Sequence, residues 1–340
     1  MHFSDKLDAL LENKNIIVTA KQPVQTIPEW EPVHQAKSVK INVIKGQVTK
    51  VTKETKCAVI LSDTQIGYRY VKGELIPFHD EKALDVAVQI TNYLQPDRII
   101  QVGDFLDLPA TSKYVQEPSW ATTTQTALDY GHSWLASLRE LCPNSVIDIA
   151  SGNHDNRLTN YILANASAAF GLRRACSDER AVLSLQNLLR LDDLNINFHE
   201  GYPNACRLYI NDNLLILHGT VTRGGYFGTA KAILAGENVS VIHGHVHRSS
   251  SWYETRPVRN GTKTYMVATD GCLCRTDGMV PSTRAGINSD GSIPVSYENW
   301  DQGIGVVYYE EDGDQRFSHQ HVAINQGKAI FDGKIFTTTR

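Results

Sequence analysis

The sequence predicts an α/β fold built on parallel strands, and three observations carry that prediction. From residue 58 onward, short apolar runs alternate with segments of helical periodicity. Successive runs then end in polar clusters: AVILS at Asp63, DRIIQV at Gly103-Asp104, and SVIDIAS at Gly152-Asn153-His154. Strands separated by amphipathic helices pair in parallel through right-handed crossovers. Such sheets gather function at the carboxyl ends of their strands.

Residues 1–55 form a distinct N-terminal region. Phe3, Leu7, Leu10 and Leu11 have helical spacing, with Ser4 as a cap, and Pro23, Pro28 and Pro32 then impose an extended arm. A strand is expected at Val39–Val43. The arm could serve packing, a dimer contact or a substrate contact. The main domain, 56–340, begins with the AVILS strand and continues with a helix at 79–94, a strand at 97–104, a helix at 123–141 and a strand at 145–155. Residues 156–200 are expected to be a mainly helical insertion bordering the cleft. RLYI, LLILHG and VSVIHGHVH read as strands, with a helix around 226–235. WYETR, TYMVATDG and GIGVVYYEEDG read as strands of a second sheet. HVAIN and KAIFDGKIF read as edge strands, the last a hairpin at Asp332-Gly333. Residues 249–340 are thus expected to complete the second sheet and cover its edge.

Composition narrows the function classes. The 340 residues are 41% hydrophobic and 21% charged, as a globular protein with a substantial core requires. A net charge of −4 argues against a surface committed globally to duplex nucleic acid, though a local basic patch is compatible with it. No apolar run is long enough for a membrane span, and the first residues lack a signal-peptide core. Six cysteines without a CxxC spacing read as reduced thiols of a cytoplasmic protein. Cys272 and Cys274 would share one face of a strand; they are either buried thiols or a metal-binding pair.

The strand ends read, in order, Asp63-Thr64-Gln65, Gly103-Asp104-Phe105-Leu106-Asp107, Gly152-Asn153-His154-Asp155, His218-Gly219 and Gly244-His245-Val246-His247. Asp and Asn offer hard oxygens and His offers imidazole nitrogen, a mixture suited to manganese, iron or zinc. Any one of these residues alone would more often be a turn residue or a satisfied polar group. Two cations about 3.5–4 Å apart need a bridging carboxylate, and Asp104, after the tight turn at Gly103, is the candidate. His245 and His247 would point the same way on an extended strand end. His243, inside the strand, reads as structural.

The pattern DxH…GDxxD…GNH(D/E)…H…GHxH, met here over about residues 58–248, resembles the calcineurin-like metallophosphoesterase superfamily. The stretches HGTVTRGGYFGTAKAIL…GHVHR and GCLC…NWDQGIGVV also look like phosphoesterases of phage and bacterial genomes. The resemblance implies an α/β sandwich of two facing mixed β-sheets flanked by helices. It implies two divalent ions, manganese foremost, with magnesium, iron, zinc or nickel as alternatives. Asp63, Gln65, Asp104 and His247 would hold one ion, and Asp104, Asn153, His218 and His245 the other. A hydroxide bridging the ions would attack phosphorus. His154 would be general acid or electrostatic stabiliser, with Asp107 orienting it.

Gln65 departs from the family's histidine. Its amide oxygen can bind a metal but is neutral and a poorer donor. One reading is a more loosely held ion with a preference for manganese or magnesium over zinc; the other is a degenerate, inactive centre. Arg157, Arg223 and Arg248 are candidate phosphate-binding residues, each with the alternative of a surface or ion-pairing role. Gly224, Gly225 and Gly228 could present backbone N–H groups to an anion. Tyr68, Tyr70 and Tyr226 could stack bases. The expected function is therefore phosphodiesterase or nuclease-like hydrolysis of nucleic acid or nucleotides. The alternatives are a phosphomonoesterase acting on a small molecule or protein phosphate, and a non-catalytic binding or scaffold protein. The expected location is the cytoplasm, the host's if the chain is phage-encoded, with no membrane partner.

Overall fold

Alternation along strand β1, Lys56–Leu61, sets the layering of the molecule. Ala58 and Ile60 face one way, into a core shared with Ile216, Ile242 and Met266. Val59 and Leu61 face the other way, among Leu84, Ile90 and Leu135. Because successive strand side chains point to opposite faces, β1 is packed on both sides, which explains its unbroken apolar run. Burying Ile60 completely contributes about 1.5–3 kcal/mol. A computed structural model describes residues 55–338, apart from 115, 178, 226, 284–294 and 296. The helix, arm and strand expected in the N-terminal region lie outside the described residues, as does Tyr226.

A hairpin of β2 (Tyr68–Val71) and β3 (Glu74–Pro77) follows β1. Helix α1 (Glu81–Leu94) comes next, started by Asp80, whose carboxylate accepts from Lys82 N and Ala83 N. Then come β4 (Arg98–Val102), α2 (Thr124–Leu141) and β5 (Val146–Ala150). The segment expected to be a mainly helical insertion is less regular. It holds α3 (Arg157–Asn165) and the one-turn α4 (Leu185–Leu188), and it ends in a strand, β6 (Ile196–His199). β6 pairs in parallel with β5, so even this segment feeds the sheet.

Strands β7 (Leu208–Asn211) and β8 (Leu214–Leu217), helix α5 (Gly228–Ala235) and strand β9 (Ser240–His243) come next. β10 (Ser249–Val258) and β11 (Gly261–Asp270) form a long antiparallel pair. The chain closes with β12 (Gln302–Tyr309), β13 (Phe317–Asn325), β14 (Lys328–Phe331) and β15 (Lys334–Thr337). One sheet has the order β15-β14-β13-β12-β1-β4-β5-β6 and the other β10-β11-β9-β8-β7.

Both sheets are mixed. β1, β4, β5 and β6 run parallel, whereas β12 pairs antiparallel with β1. Their inner faces share one core, and α1 and α2 cover the outer face of the larger sheet. Helix α5 packs Ala230, Ile233 and Leu234 on Leu215, Val241 and Val267 of the smaller one. The architecture is thus the expected pair of facing mixed sheets flanked by helices. One expectation needs correction. Only β10 and β11 of residues 249–340 join the second sheet, whereas β12–β15 extend the first. A run such as GIGVVYY, apolar throughout, fits either sheet, and pairing with β1 decides the matter.

Candidate metal centre

The chain turns sharply where the expected ligands lie. Asp63, Gln65, Asp104, His245 and His247 all have left-handed backbone, with φ of 49°, 49°, 48°, 74° and 55°. Such conformations cost non-glycine residues about 1–3 kcal/mol each and persist where the surroundings enforce them. β9 ends at His243, so His245 and His247 are not on an extended strand end as expected. They occupy a loop closed by Val246 N donating to the Gly244 carbonyl, and the loop aims each ring separately.

Asp104 is the hub. Its Oδ1 accepts from His154 N at 2.8 Å, and its Oδ2 lies 3.1 Å from Gln65 Nε2 and 3.3 Å from His218 Nε2. His218 Nδ1 is 2.9 Å from the Val102 carbonyl, which turns Nε2 toward Asp104 and toward Asn153 Oδ1 at 3.1 Å. Asp63 accepts from the His245 backbone N–H through both oxygens, and its Oδ1 is 3.1 Å from His247 Nε2. Ligand atoms of Asp63, Asp104 and His247 lie within 4.8 Å of one another, as do those of Asp104, His218 and His245. Asp104 belongs to both groups.

These residues fit a pair of cations on three counts. Gln65 Oε1 is buried without a hydrogen-bond partner among the described residues, a costly state that a cation would relieve. The backbone approaches the carboxylates so closely that only glycine fits: a Cβ on Gly152 would fall 2.2 Å from Asp104 Oδ1, and one on Gly244 2.7 Å from Asp63 Oδ2. The cluster also favours positive charge. Burial opposes protonation of His218 and His247, yet Asp104 and Asp63 outweigh it and push them up to about 10 and about 9. His245 goes the other way, to about 4, through burial and then the charge of His218. Burial alone would raise Asp104, but His154 and His218 hold its carboxyl well below the usual range.

His154 stands beside this cluster. Its Nδ1 is 3.2 Å from Asp107 Oδ1, and its Nε2 is 3.7 Å from Asp104 Oδ2. Arg157 donates to the Asp107 carboxylate and main-chain carbonyl and reaches His154 Nε2 at 3.0 Å. Its guanidinium is therefore engaged with the His154–Asp107 pair, and it also lines a cavity of about 560 Å³ with Asn153, Lys113, Tyr114, Tyr161 and Tyr202. Arg223 and Arg248 line a different cavity, about 420 Å³, with Val246 and Phe227.

Some features escaped the sequence reading. Asp155 is buried and accepts from Gly152 N, Phe105 N and Leu106 N, tying the Asn153 turn to the Asp104 turn. Only its place in the run Gly152-Asn153-His154-Asp155 hinted at this. Tyr68, expected as a stacking residue, is buried against His79 and Tyr130 and offers no free face. Tyr70 is exposed on β2. His243 is buried, with Nδ1 2.8 Å from the Gly244 carbonyl, as a structural histidine should be. Among the described residues, no helix is long and apolar enough to cross a membrane.

No family model matches the chain. It is similar to the Gene 54 protein of Mycobacterium phage D29, 28% identical over 203 residues that cover 57% of this chain and 70% of the relative. It is also similar to the Gene 54 protein of Mycobacterium phage L5, 27% identical over the same shares. Solved structures that resemble it include YfcE, a phosphoesterase from E. coli, with a TM-score of 0.31 and 12% identity over 79% of this chain and 100% of that one. TT1561 of Thermus thermophilus has a TM-score of 0.28 and 11% identity over 66% of this chain and 92% of that one.

Proposed function

We propose that this chain is a metal-dependent phosphodiesterase acting on nucleic acid or nucleotides. The observation that carries the reading is the convergence of Asp63, Asp104, Asn153, His218, His245 and His247, from the turns that follow β1, β4, β5, β8 and β9, on one largely buried cluster. Asp63, Gln65, Asp104 and His247 would hold one divalent ion, and Asp104, Asn153, His218 and His245 the other, with manganese the best match to this oxygen-rich donor set. When bound, such ions supply Lewis acidity toward phosphoryl oxygens and a nucleophilic water at neutral pH.

The protein's own residues handle the leaving group. His154 faces Asp107 Oδ1 with Nδ1 at 3.2 Å, an ion-pair contact that lacks hydrogen-bond geometry, and presents Nε2 on the cluster side. As the phosphorus–oxygen bond to the leaving group breaks, Nε2–H protonates the departing alkoxide. Arg157 can only donate, so Nε2 accepts from it in the resting structure; on this reading substrate draws the guanidinium to its phosphoryl oxygens, and the freed Nε2 takes from solvent the proton that it then delivers. Lys113, Tyr114, Tyr161 and Tyr202 line the cavity that opens from Asn153. Cations with tyrosine faces suit a phosphate–base repeat better than a small monoester. They replace Tyr68 as the stacking surface.

The test compares a bis-aryl phosphate with a mono-aryl phosphate in the presence of manganese. Faster turnover of the diester supports the reading, faster turnover of the monoester favours a phosphomonoesterase, and turnover of neither favours a binding protein. His154→Ala then reports on the proton. It should lose far more activity on an alkyl diester than on a nitrophenyl ester, whose leaving group departs without help, and should keep its metals. Equal losses would make His154 a charge stabiliser instead.

A further inference from the structure

One side of His247 has no part in the centre described above. Its Nε2 edge meets Asp63, but its Nδ1 edge meets Cys274 Sγ at 3.9 Å. Cys272 and Cys274 flank a bend at Leu273 and are bridged to Gln302 and His79, and the bend brings both sulfurs near the ring. Ligand atoms of His247, Cys272 and Cys274 all fall within 4.8 Å of one another, and all three residues are buried. Trp300 meets the imidazole edge-on, with centroids 4.2 Å apart, and fixes the plane of the ring.

We propose that Cys272, Cys274 and Nδ1 of His247 form a second, separate cation site, selective for a thiophilic dication of the zinc or cadmium class. The donor spacing is close to what such an ion needs. Bonds of about 2.0–2.3 Å to nitrogen and sulfur in a tetrahedron put donors roughly 3.4–3.8 Å apart; Cys274 Sγ and His247 Nδ1 are 3.9 Å apart and Cys272 Sγ lies within 4.8 Å of both, so the site closes by side-chain motion of about 1 Å or less, with Cys272 leaving the Asp301 carbonyl. Two thiolates neutralise a dication amid the packed apolar side chains of Phe78, Trp120 and Val280. Softness separates the two sites: oxygens dominate at Asp63 and Asp104, sulfurs here.

The sites share one ring, so they compete. With an ion at Nε2 the ring proton of His247 would sit on Nδ1; binding at the sulfurs releases both thiol protons to solvent and displaces that proton from Nδ1, and it returns to Nε2, beside Asp63, as the first ion leaves. His247 in that tautomer has no lone pair to offer beside Asp63. A thiophilic cation should therefore expel the ion held by Asp63, Gln65, Asp104 and His247. This last step rests on the proposed metal centre; the thiol site itself does not.

Cadmium titration of the manganese-loaded protein tests both. The expected result is a thiolate-to-cadmium absorption band in the ultraviolet, growing as about one equivalent of manganese appears free in solution. The band should vanish in Cys274→Ser and persist in Asp104→Asn, which removes the oxygen-rich centre and not the sulfurs. Cadmium NMR of the unmutated protein gives the same answer without a variant, because sulfur ligation moves the resonance far from that of oxygen ligation. No band, a band that survives Cys274→Ser, or a cadmium resonance typical of oxygen donors alone would overturn the thiol site. A band without manganese release would overturn the competition. A protein that binds no manganese but still forms the band would instead refute the proposed metal centre.

Discussion

Two buried aspartates, Asp104 and Asp270, each meet two histidines, yet only one of them sits in a metal-like cluster. Asp270 ends β11 and receives His319 Nε2 at 2.9 Å and His321 Nδ1 at 3.3 Å from β13, on the opposite sheet. Both of its oxygens are occupied by that pairing. Asp104 also meets histidines, but its donors converge with those of Asp63, His218, His245 and His247, whereas Asp270 belongs to no such group among the described residues. Left-handed backbone marks Asp104 and is absent at Asp270. Glycine crowding does not separate them, because a Cβ on Gly305 would lie 2.3 Å from Asp270 Oδ2. An aspartate–histidine contact by itself is therefore a fold tie. Convergent donors, a strained backbone and an unpaired buried acceptor together indicate chemistry.

Neutralising each carboxylate in turn should separate the two aspartates most clearly. Asp104→Asn removes the charge that two adjacent cations require, so metal content should fall and turnover should drop roughly 10²–10³-fold or more, while circular dichroism still reports a folded chain. Full activity in that variant would remove the dinuclear proposal. Asp270→Asn should do the reverse. Metal content should hold, and stability in denaturant should fall by about 1–3 kcal/mol, because His319 loses its buried partner.

Acid should weaken the Asp270 tie. Burial would raise Asp270, but His319 and His321 hold its carboxyl below the usual range. A depressed carboxyl stabilises the fold above its unfolded value of about 3.9, and that contribution is lost as pH falls through the folded value. Denaturation curves of the wild type and Asp270→Asn should thus differ fully near neutrality and draw together in strong acid. A gap that widened in acid would contradict the assignment.

The smallest effect is expected at Gln65. Gln65→His should tighten the first ion by about tenfold and move the activation curve toward zinc or toward lower manganese. Identical curves for the two proteins would take Gln65 out of the ligand set.

Much of this was legible in the residues, for definable reasons. Asp63, Asp104, Asn153, His218, His245 and His247 are residue types that rarely cluster at successive strand ends without a shared task, so their order along the chain pointed to one place. The helices at 81–94 and 124–141 followed from apolar spacing. What stayed hidden depends on tertiary pairing. GIGVVYY could join either sheet until β1 claimed it. INFH was too short and too mixed to read as β6. Backbone φ at Asp63, Gln65 and the two loop histidines has no composition signal, since these positions are not glycine. Tyr68 reads as a free aromatic only while His79 and Tyr130 are unseen.

The central claim is that one buried cluster holds two ions with Asp104 between them. A crystal grown with manganese, with anomalous scattering recorded at the manganese edge, tests this most directly. Two peaks are expected about 3.5–4 Å apart, one bounded by Asp63, Asp104 and His247 and the other by Asp104, His218 and His245. A single peak, a peak displaced to Cys272 and Cys274, or none at saturating manganese would contradict it.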